Sequence, residues 1–394
     1  MSGKETEGIV GAVSEAAVVG MIREKNQYPV SIKEYRKEKT GIFIGNPARK
    51  VRIRDLAVFC RQFSTVVNAG VPILTGLDIL RRQTENQILR AAVDDLYKEV
   101  QKGNSLSSVM GMHKGIFPEL LVNMVEAGEV SGTLDSVMEK MADHYEREHR
   151  VNHKVKNALV YPSLIAIVAA LVVIFMVTVV LPTFVSMFED MGAVLPLPTR
   201  MLISLGGIIT GRWFLLLTAA LGLYTAFKIC SRSARGKELL DTVGLRAPVI
   251  GSVYKKMITA RFARTLGALM SSGIPMLEGI EIAGKVVGNT VVRKGLYQVE
   301  DNIKKGKGLA QPLSNIEVFP PMLIQMVEVG EDTGTLDYIL AKTADVFDDE
   351  VENAVSRMTT MLEPAIIVAM AVVVGFIVVS IALPMFDMLT NISF

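Results

Sequence analysis

Three histidines close together are the residues with the clearest potential for metal chemistry. His149 and His153 are four positions apart, so on a helix they would lie on one face, as paired metal ligands do. His144 precedes them on the same predicted helix. In a second copy of this segment, described below, the corresponding residues are Val346, Val351 and Val355. Because that copy is apolar and no third ligand is evident, we predict a packed helix face and no metal site.

The sequence contains no recognisable motif for nucleotide binding or catalysis. The strings AGKVVGNT and KKGKGLA come nearest to a phosphate-binding loop, and both lack its spacing and its final Ser or Thr. No set of histidine, serine and acid can be assigned as a catalytic triad from the sequence. We therefore expect no enzymatic activity and no cofactor. Any work driven by ATP would come from a partner protein.

An acidic turn occurs twice in the chain. MVEAGEVSGTLD at residues 124–135 recurs as MVEVGEDTGTLD at residues 326–337. Gly128 and Gly132 are predicted to end one helix and Thr133 to cap the next, whose first turn would contain the aspartate. The corresponding glycines of the second copy are Gly330 and Gly334. The pattern predicts a helical hairpin in each copy.

The glutamates of these turns are not explained by turn chemistry. They are Glu126, Glu129, Glu328 and Glu331. In one interpretation they are solvated residues beside a structural hairpin. In the other they form a docking surface for a cytoplasmic partner. Docking is kept as a hypothesis because glutamate recurs at both positions in both copies.

The composition is that of a membrane protein with soluble domains. Hydrophobic residues make up 50% of the 394 residues and charged residues 21%, so strongly apolar segments must alternate with soluble ones. The net charge is only +2, and no basic stripe with interleaved aromatic residues is evident, so we expect no direct role in nucleic-acid binding. Cys60 and Cys230 are too few for a disulfide framework.

Two long apolar runs predict transmembrane helices. Residues 158–188 contain no charged side chain, and a spanning helix needs only about 20 apolar residues. Pro162 and Pro182 in this run are separated by about 30 Å of helix, close to the hydrocarbon thickness. The second run repeats that spacing with Pro364 and Pro384. We expect the prolines to bracket the two spans.

A third span at residues 203–227 would return the chain to the cytoplasm. Basic residues, which stay on the cytoplasmic side, precede the first span and follow the middle one. The first eight residues are polar, so we expect no cleaved signal peptide and a cytoplasmic N-terminus. The predicted order is a loosely attached segment 1–50, cytoplasmic domain 51–157, span 158–186, external loop 187–202, span 203–227, cytoplasmic domain 228–361, span 362–386 and external tail 387–394.

The two halves of the chain are copies of one sequence repeat. Residues 59–80 match residues 262–283 at an offset of 203, and the parts downstream match at an offset of 202. Apolar residues at helical spacing precede Gly70, which suits the left-handed position after a helix, and Pro72 can open the next one. The second copy has Gly273 and Pro275. We predict an all-α membrane protein with two homologous cytoplasmic bundles of about six helices each and three transmembrane helices.

Glu363 is the one carboxylate that touches a predicted span. It precedes Pro364 at the cytoplasmic end of the last run, where the first copy has Tyr161 before Pro162. An ion relay would need a second ionisable group within one of the long spans, and neither contains one. We expect Glu363 to lie at the membrane interface, and a role in ion relay is the alternative.

These features resemble the inner-membrane platform proteins of type II secretion and type IV pilus assembly, the GspF/PilC family. The resemblance covers nearly the whole chain. It rests on a basic residue before Tyr-Pro, an apolar run that ends in Leu-Pro, duplicated Gly-x-Pro-x-x-x-Gly elements and the acidic turns. Apart from the turns, the matching residues are Lys154, Val155, Ala158, Leu159, Tyr161, Pro162, Leu181, Pro182, Gly70, Pro72, Gly76, Gly273, Pro275 and Gly279.

The resemblance implies a non-enzymatic scaffold in the bacterial inner membrane that couples a cytoplasmic assembly ATPase to polymerisation of pilin or pseudopilin. It also implies homo-oligomers, contacts with other inner-membrane assembly proteins and contacts with membrane lipid. A membrane-anchored signalling or adaptor scaffold without transport activity is the alternative, and co-purification of an ATPase would separate the two. A transporter is disfavoured because the spans lack buried charges.

Overall fold

The regular structure is helical throughout the part of the chain that the computed structural model describes. The described residues are 51–190, 196–211, 213–248 and 250–391, together with 18, 19, 21, 22 and 28. The chain divides into two compact units, Met1–Lys50 and Val51–Phe394, and the helices below belong to the second. No strand is present in the described ranges, so the prediction of an all-α protein is confirmed there.

Within residues 51–133, five helices lie before the first long helix, and turn-forming residues set their limits. After α1 ends, Gly70 has a φ of 75°, a left-handed conformation that glycine adopts without strain. Pro72 stands at the N-cap of α2. The helices are α1 (Ile53–Asn68), α2 (Ile73–Gln83), α3 (Gln87–Gln101), α4 (Leu106–Met112) and α5 (Glu119–Ser131).

The first core forms where α1 packs against the start of the following helix, α6 (Leu134–Phe175). Phe59 and Phe63 of α1 are buried in the same cluster as Met138 and Met141 of α6. Complete burial of a phenylalanine or methionine side chain contributes about 1.5–3 kcal/mol. The first long helix, α6, is therefore part of the hydrophobic core that it forms with α1 to α5.

The first predicted span lies on three helical segments that follow one another without a loop. α6 is followed by one π-helical turn (Met176–Val180) and by α7 (Leu181–Asp190). Pro162 lies within α6, where its ring removes one backbone hydrogen bond without ending the helix, and Pro182 is the second residue of α7. The helix thus passes from the first core into the apolar run without a loop.

In the second half of the chain, α11 to α16 (residues 250–391) repeat the arrangement of α1 to α6. Gly273 has a φ of 79°, and Pro275 stands at the N-cap of the helix that follows. The helices are α8 (Leu197–Gly211), α9 (Trp213–Arg232), α10 (Ala234–Arg246), α11 (Ile250–Met270), α12 (Met276–Val287), α13 (Thr290–Lys304), α14 (Ala310–Leu313), α15 (Pro321–Thr333) and α16 (Leu336–Asn391). α11 packs along α16 as α1 packs along α6.

Two of the described helical segments are long and apolar enough to cross a membrane, Leu134–Met187 and Leu336–Leu383. They include the first and last predicted spans. The predicted middle span falls on the end of α8 and on α9, and its membrane insertion stays a prediction. α6 and α16 also pack against each other on the helix turns before their apolar runs, where Lys154 pairs with Glu352.

Candidate functional site

The duplicated acidic turns connect α5 to α6 and α15 to α16. Gly132 and Gly334 follow the last residues of α5 and α15 with φ of 72° and 68°. A side chain at either glycine would be strained in this left-handed conformation. Each glycine reverses the chain, so that the short helix lies against the start of the long one.

The structure corrects the prediction that Gly128 ends a helix, because Gly128 lies within α5. A Cβ atom built at Gly128 would lie 3.1 Å from Val137 Cγ2 and 3.2 Å from Leu134 Cα. At Gly330 the equivalent Cβ would lie 3.0 Å from Leu336 Cα. Both glycines are therefore needed for the close approach of the two helices of the hairpin.

The predicted side-chain cap is wrong as well. Thr133 occupies the N-cap position of α6, but its hydroxyl makes no capping hydrogen bond. The hydroxyl oxygens of Thr133 and Ser131 lie 2.7 Å apart. Thr335 and Thr333 make the same 2.7 Å contact in the second copy. These hydroxyl pairs bridge the turn between the two helices.

Glu129 and Glu331 are hydrogen-bonded within their own domains. The Glu129 carboxylate accepts from the backbone N–H of Leu106 at 2.6 Å, from that of Ser107 at 3.0 Å and from the Ser107 hydroxyl at 2.5 Å. Glu331 accepts from the N–H groups of Leu309 at 2.5 Å and Ala310 at 2.9 Å. The first backbone N–H groups of a helix have no acceptor within that helix, and each carboxylate accepts hydrogen bonds from these groups at the start of α4 or α14. Sequence reasoning missed this role, although helix starts precede both glutamates at nearly the same distance.

Glu126 and Glu328 differ from the capping pair. Both are exposed, and neither makes a hydrogen bond or ion pair with another described residue. Val130 lies one turn after Glu126 on α5 and is 86% exposed. Of the four glutamates, Glu129 and Glu331 therefore accept hydrogen bonds from helix N-termini. The other two, Glu126 and Glu328, face solvent.

An ion-pair network fastens α1 to α6 and is repeated in the second domain. Arg61 donates to Asp143 and to both oxygens of Glu146, and the hydrogen bond from Arg61 lowers the pKa of Glu146. In the second copy, Arg264 of α11 pairs with Asp348 of α16. Each pair fixes the rotation of a short helix against the long helix that continues into an apolar run.

The three histidines occupy different environments. His144 is buried edge-on against Tyr145, with ring centroids 5.2 Å apart. Burial lowers the pKa of His144 to about 3, and the charges of Arg264 and Arg261 add to this effect. The rings of His149 and His153 lie 5.8 Å apart on the outer part of α6. Among the described residues, no group of three His, Cys, Asp or Glu side chains is arranged to hold a metal.

The residues beside the apolar runs lie on the two long helices. Tyr161 is exposed and Pro162 is buried on α6. Glu363 and Pro364 are exposed on α16, and Pro384 is part of the same helix. Glu363 makes no ion pair with another described residue. Its place at the membrane interface stays a prediction.

Comparison with known proteins identifies the duplicated unit. The family model for the type II secretion system (T2SS), protein F, matches the chain twice, at residues 59–182 and 262–384. The chain is 34% identical over 387 residues to the type IV pilus assembly protein PilC of Myxococcus xanthus, covering 98% of this chain and 93% of the relative. It is 35% identical to PilC of Thermus thermophilus, covering 99% and 97%. It is 33% identical to type II secretion system protein F of Xanthomonas campestris, covering 99% and 96%.

Proposed function

The chain belongs to the type II secretion system protein F family, and we propose that it is the inner-membrane platform of a machine that assembles pili or secretes proteins. The observation that carries this proposal is the double match of the family model to two copies of one unit. Each copy joins a helical domain to a long helix with an apolar run. A platform of this kind organises other proteins and performs no catalysis itself.

The proposed topology places the N-terminus and both helical domains in the cytoplasm and the C-terminus outside. Each cytoplasmic domain is a bundle of about six helices, and α9 supplies a third span between the two long ones. Support comes from the basic residues before the first span and after the middle one. With three spans, both copies of the unit have the same orientation in the membrane.

The two long helices suggest how movement would pass from the cytoplasm to the membrane. α6 and α16 each begin in the core of a cytoplasmic domain and continue into an apolar run without a loop. Arg61 and Arg264 hold the flanking helices α1 and α11 to these rods. A force applied to a cytoplasmic domain would therefore tilt or rotate its span rather than be lost in a flexible linker.

Glu126 and Glu328 are the proposed contacts for a cytoplasmic partner, which we take to be an assembly ATPase. Their exposure and their lack of described partners leave both charges available. Glu129 and Glu331 belong to the same docking hypothesis by sequence, and here we assign them the support of that surface. Their carboxylates hold α4 and α14 against the helices that carry the exposed pair.

The platform proposal can be tested by purifying the full chain from its native membranes and identifying the proteins that accompany it. We expect an assembly ATPase and a pilin or pseudopilin. An adaptor for signalling would instead co-purify with neither. ATP turnover that follows the pure chain through every column would show that the protein is not a passive platform.

A further inference from the structure

A groove lies between α1 and α6, and the second domain packs differently at the equivalent place. Its volume is about 560 Å³, and its walls include Arg54 and Val58 of α1 and His149, Arg150, His153 and Lys154 of α6. At the equivalent place in the second domain, Val351 and Val355 are buried against Val253 of α11 and against Val151 and Val155 of α6. The second copy therefore packs apolar side chains where the first presents basic ones.

Part of the difference comes from the lengths of the flanking helices α1 and α11. α11 begins at Ile250, about six residues before the counterpart of Ile53, the first residue of α1. The additional turns carry Val253 onto the face of α16 that holds the two valines. In the first domain His149 is half-buried and His153 is exposed, and Ala57 and Val58 of α1 line the groove beside them.

Two arginines supply the charge that remains in the groove. Lys154 is paired with Glu352, and Arg61 is paired with two carboxylates of α6. Arg54 and Arg150 are exposed, and neither makes an ion pair with another described residue. The groove therefore presents two guanidinium groups that have no described carboxylate within ion-pair distance, beside two imidazole rings. The Glu146 carboxylate, which Arg61 binds, also lines the groove, and the charge of Arg150 contributes to its lowered pKa. Guanidinium groups suit phosphate because they can donate two parallel hydrogen bonds to its oxygens.

The groove also lies close to the proposed membrane surface. Arg150 precedes the first residue of the apolar run, Ala158, by two turns, which is about 12 Å along a helix. Basic groups at this depth are attracted by the anionic lipids of the cytoplasmic leaflet. We propose that the groove binds the phosphate headgroup of an anionic phospholipid from that leaflet. The proposal rests on the membrane insertion of α6 and is independent of the identity of the cytoplasmic partner.

The test is lipid binding by the full chain in detergent, measured by native mass spectrometry with phosphatidylglycerol and with phosphatidylcholine. We expect phosphatidylglycerol to bind in preference. The double substitution R54Q/R150Q should weaken its binding by on the order of tenfold, because two cationic contacts are lost. The matched control is K307Q/K342Q, which removes the same charge from two exposed lysines of the second domain that do not line the groove. It should bind lipid as the unsubstituted chain does.

A second variant keeps the proposal testable if R54Q/R150Q does not fold. H149V/H153V introduces the residue type that the second copy has at these positions, and we expect weaker binding of phosphatidylglycerol with an unchanged melting temperature. Inorganic phosphate alone should compete only weakly, because it lacks the acyl chains that anchor the lipid in the micelle.

Equal binding of the two lipids, or full binding by R54Q/R150Q, would overturn the proposal. Displacement of the lipid by an acidic peptide at micromolar concentration would also overturn it and identify a protein-docking groove. Co-purification of the ATPase is measured separately, so failure of the lipid site leaves the platform proposal standing.

Discussion

The capping role of Glu129 leads to a quantitative prediction for the substitution E129A. The carboxylate accepts two backbone N–H groups and one hydroxyl at the start of α4, a helix of seven residues. Loss of a capping acceptor costs about 0.5–2 kcal/mol, and a hydrogen bond to a charged group contributes about 1.5–3 kcal/mol. Glu129 is half-buried, so water can replace part of the lost interaction. We expect E129A to lower the free energy of opening of α4 by about 2 kcal/mol.

Hydrogen exchange of the full chain in detergent measures this local effect. A loss of about 2 kcal/mol corresponds to roughly 30-fold faster exchange of the α4 amides. E126A is the matched control because it removes the same charge from the same helix without removing a hydrogen bond. It should shift stability by no more than about 0.5 kcal/mol. If E129A and E126A exchange at the same rate over residues 105–112, the carboxylate does not hold α4 and the division of the four glutamates is wrong.

Three further predictions concern the hairpins and the topology. The charge reversal E126K/E328K should weaken binding of the assembly ATPase several-fold in a pull-down while leaving the melting temperature unchanged, and unaltered binding would remove these residues from the interface. G128A should destabilise the chain by about 1–3 kcal/mol in thermal unfolding, because the new Cβ would overpack the crossing of α5 and α6. G111A is its control, since a Cβ there meets only one atom, at 3.8 Å, and equal melting of the two variants would contradict the close crossing. Reporter fusions should give a cytoplasmic signal after Lys237 and an external signal after the last residue; a cytoplasmic signal from the second fusion would refute three spans.

Much of the fold was predictable because its signals are local. The helical spacing around Phe59 and Phe63 depends only on neighbouring residues, and both side chains are buried on one face of α1. The uncharged run after Ala158 is long and apolar enough to cross a membrane, and its composition alone is sufficient to show this. Duplication was visible because a twelve-residue phrase recurs at an offset of 202 and residues 59–80 recur at an offset of 203, and the family model matches both copies.

What the sequence by itself determined was the class of the protein: an all-helical chain with two copies of one unit and long apolar helices, similar to proteins of pilus assembly and secretion. Tertiary structure alone decided what individual residues do. Glycine is needed at position 128 because α6 crosses α5 there, and Glu129 binds a helix start that is 22 or more residues away in sequence. Helix periodicity carries no information about such partners, since they are set by how separate helices pack. The same limit applies to the groove at Arg150, which is formed by side chains of two helices that pack together, α1 and α6.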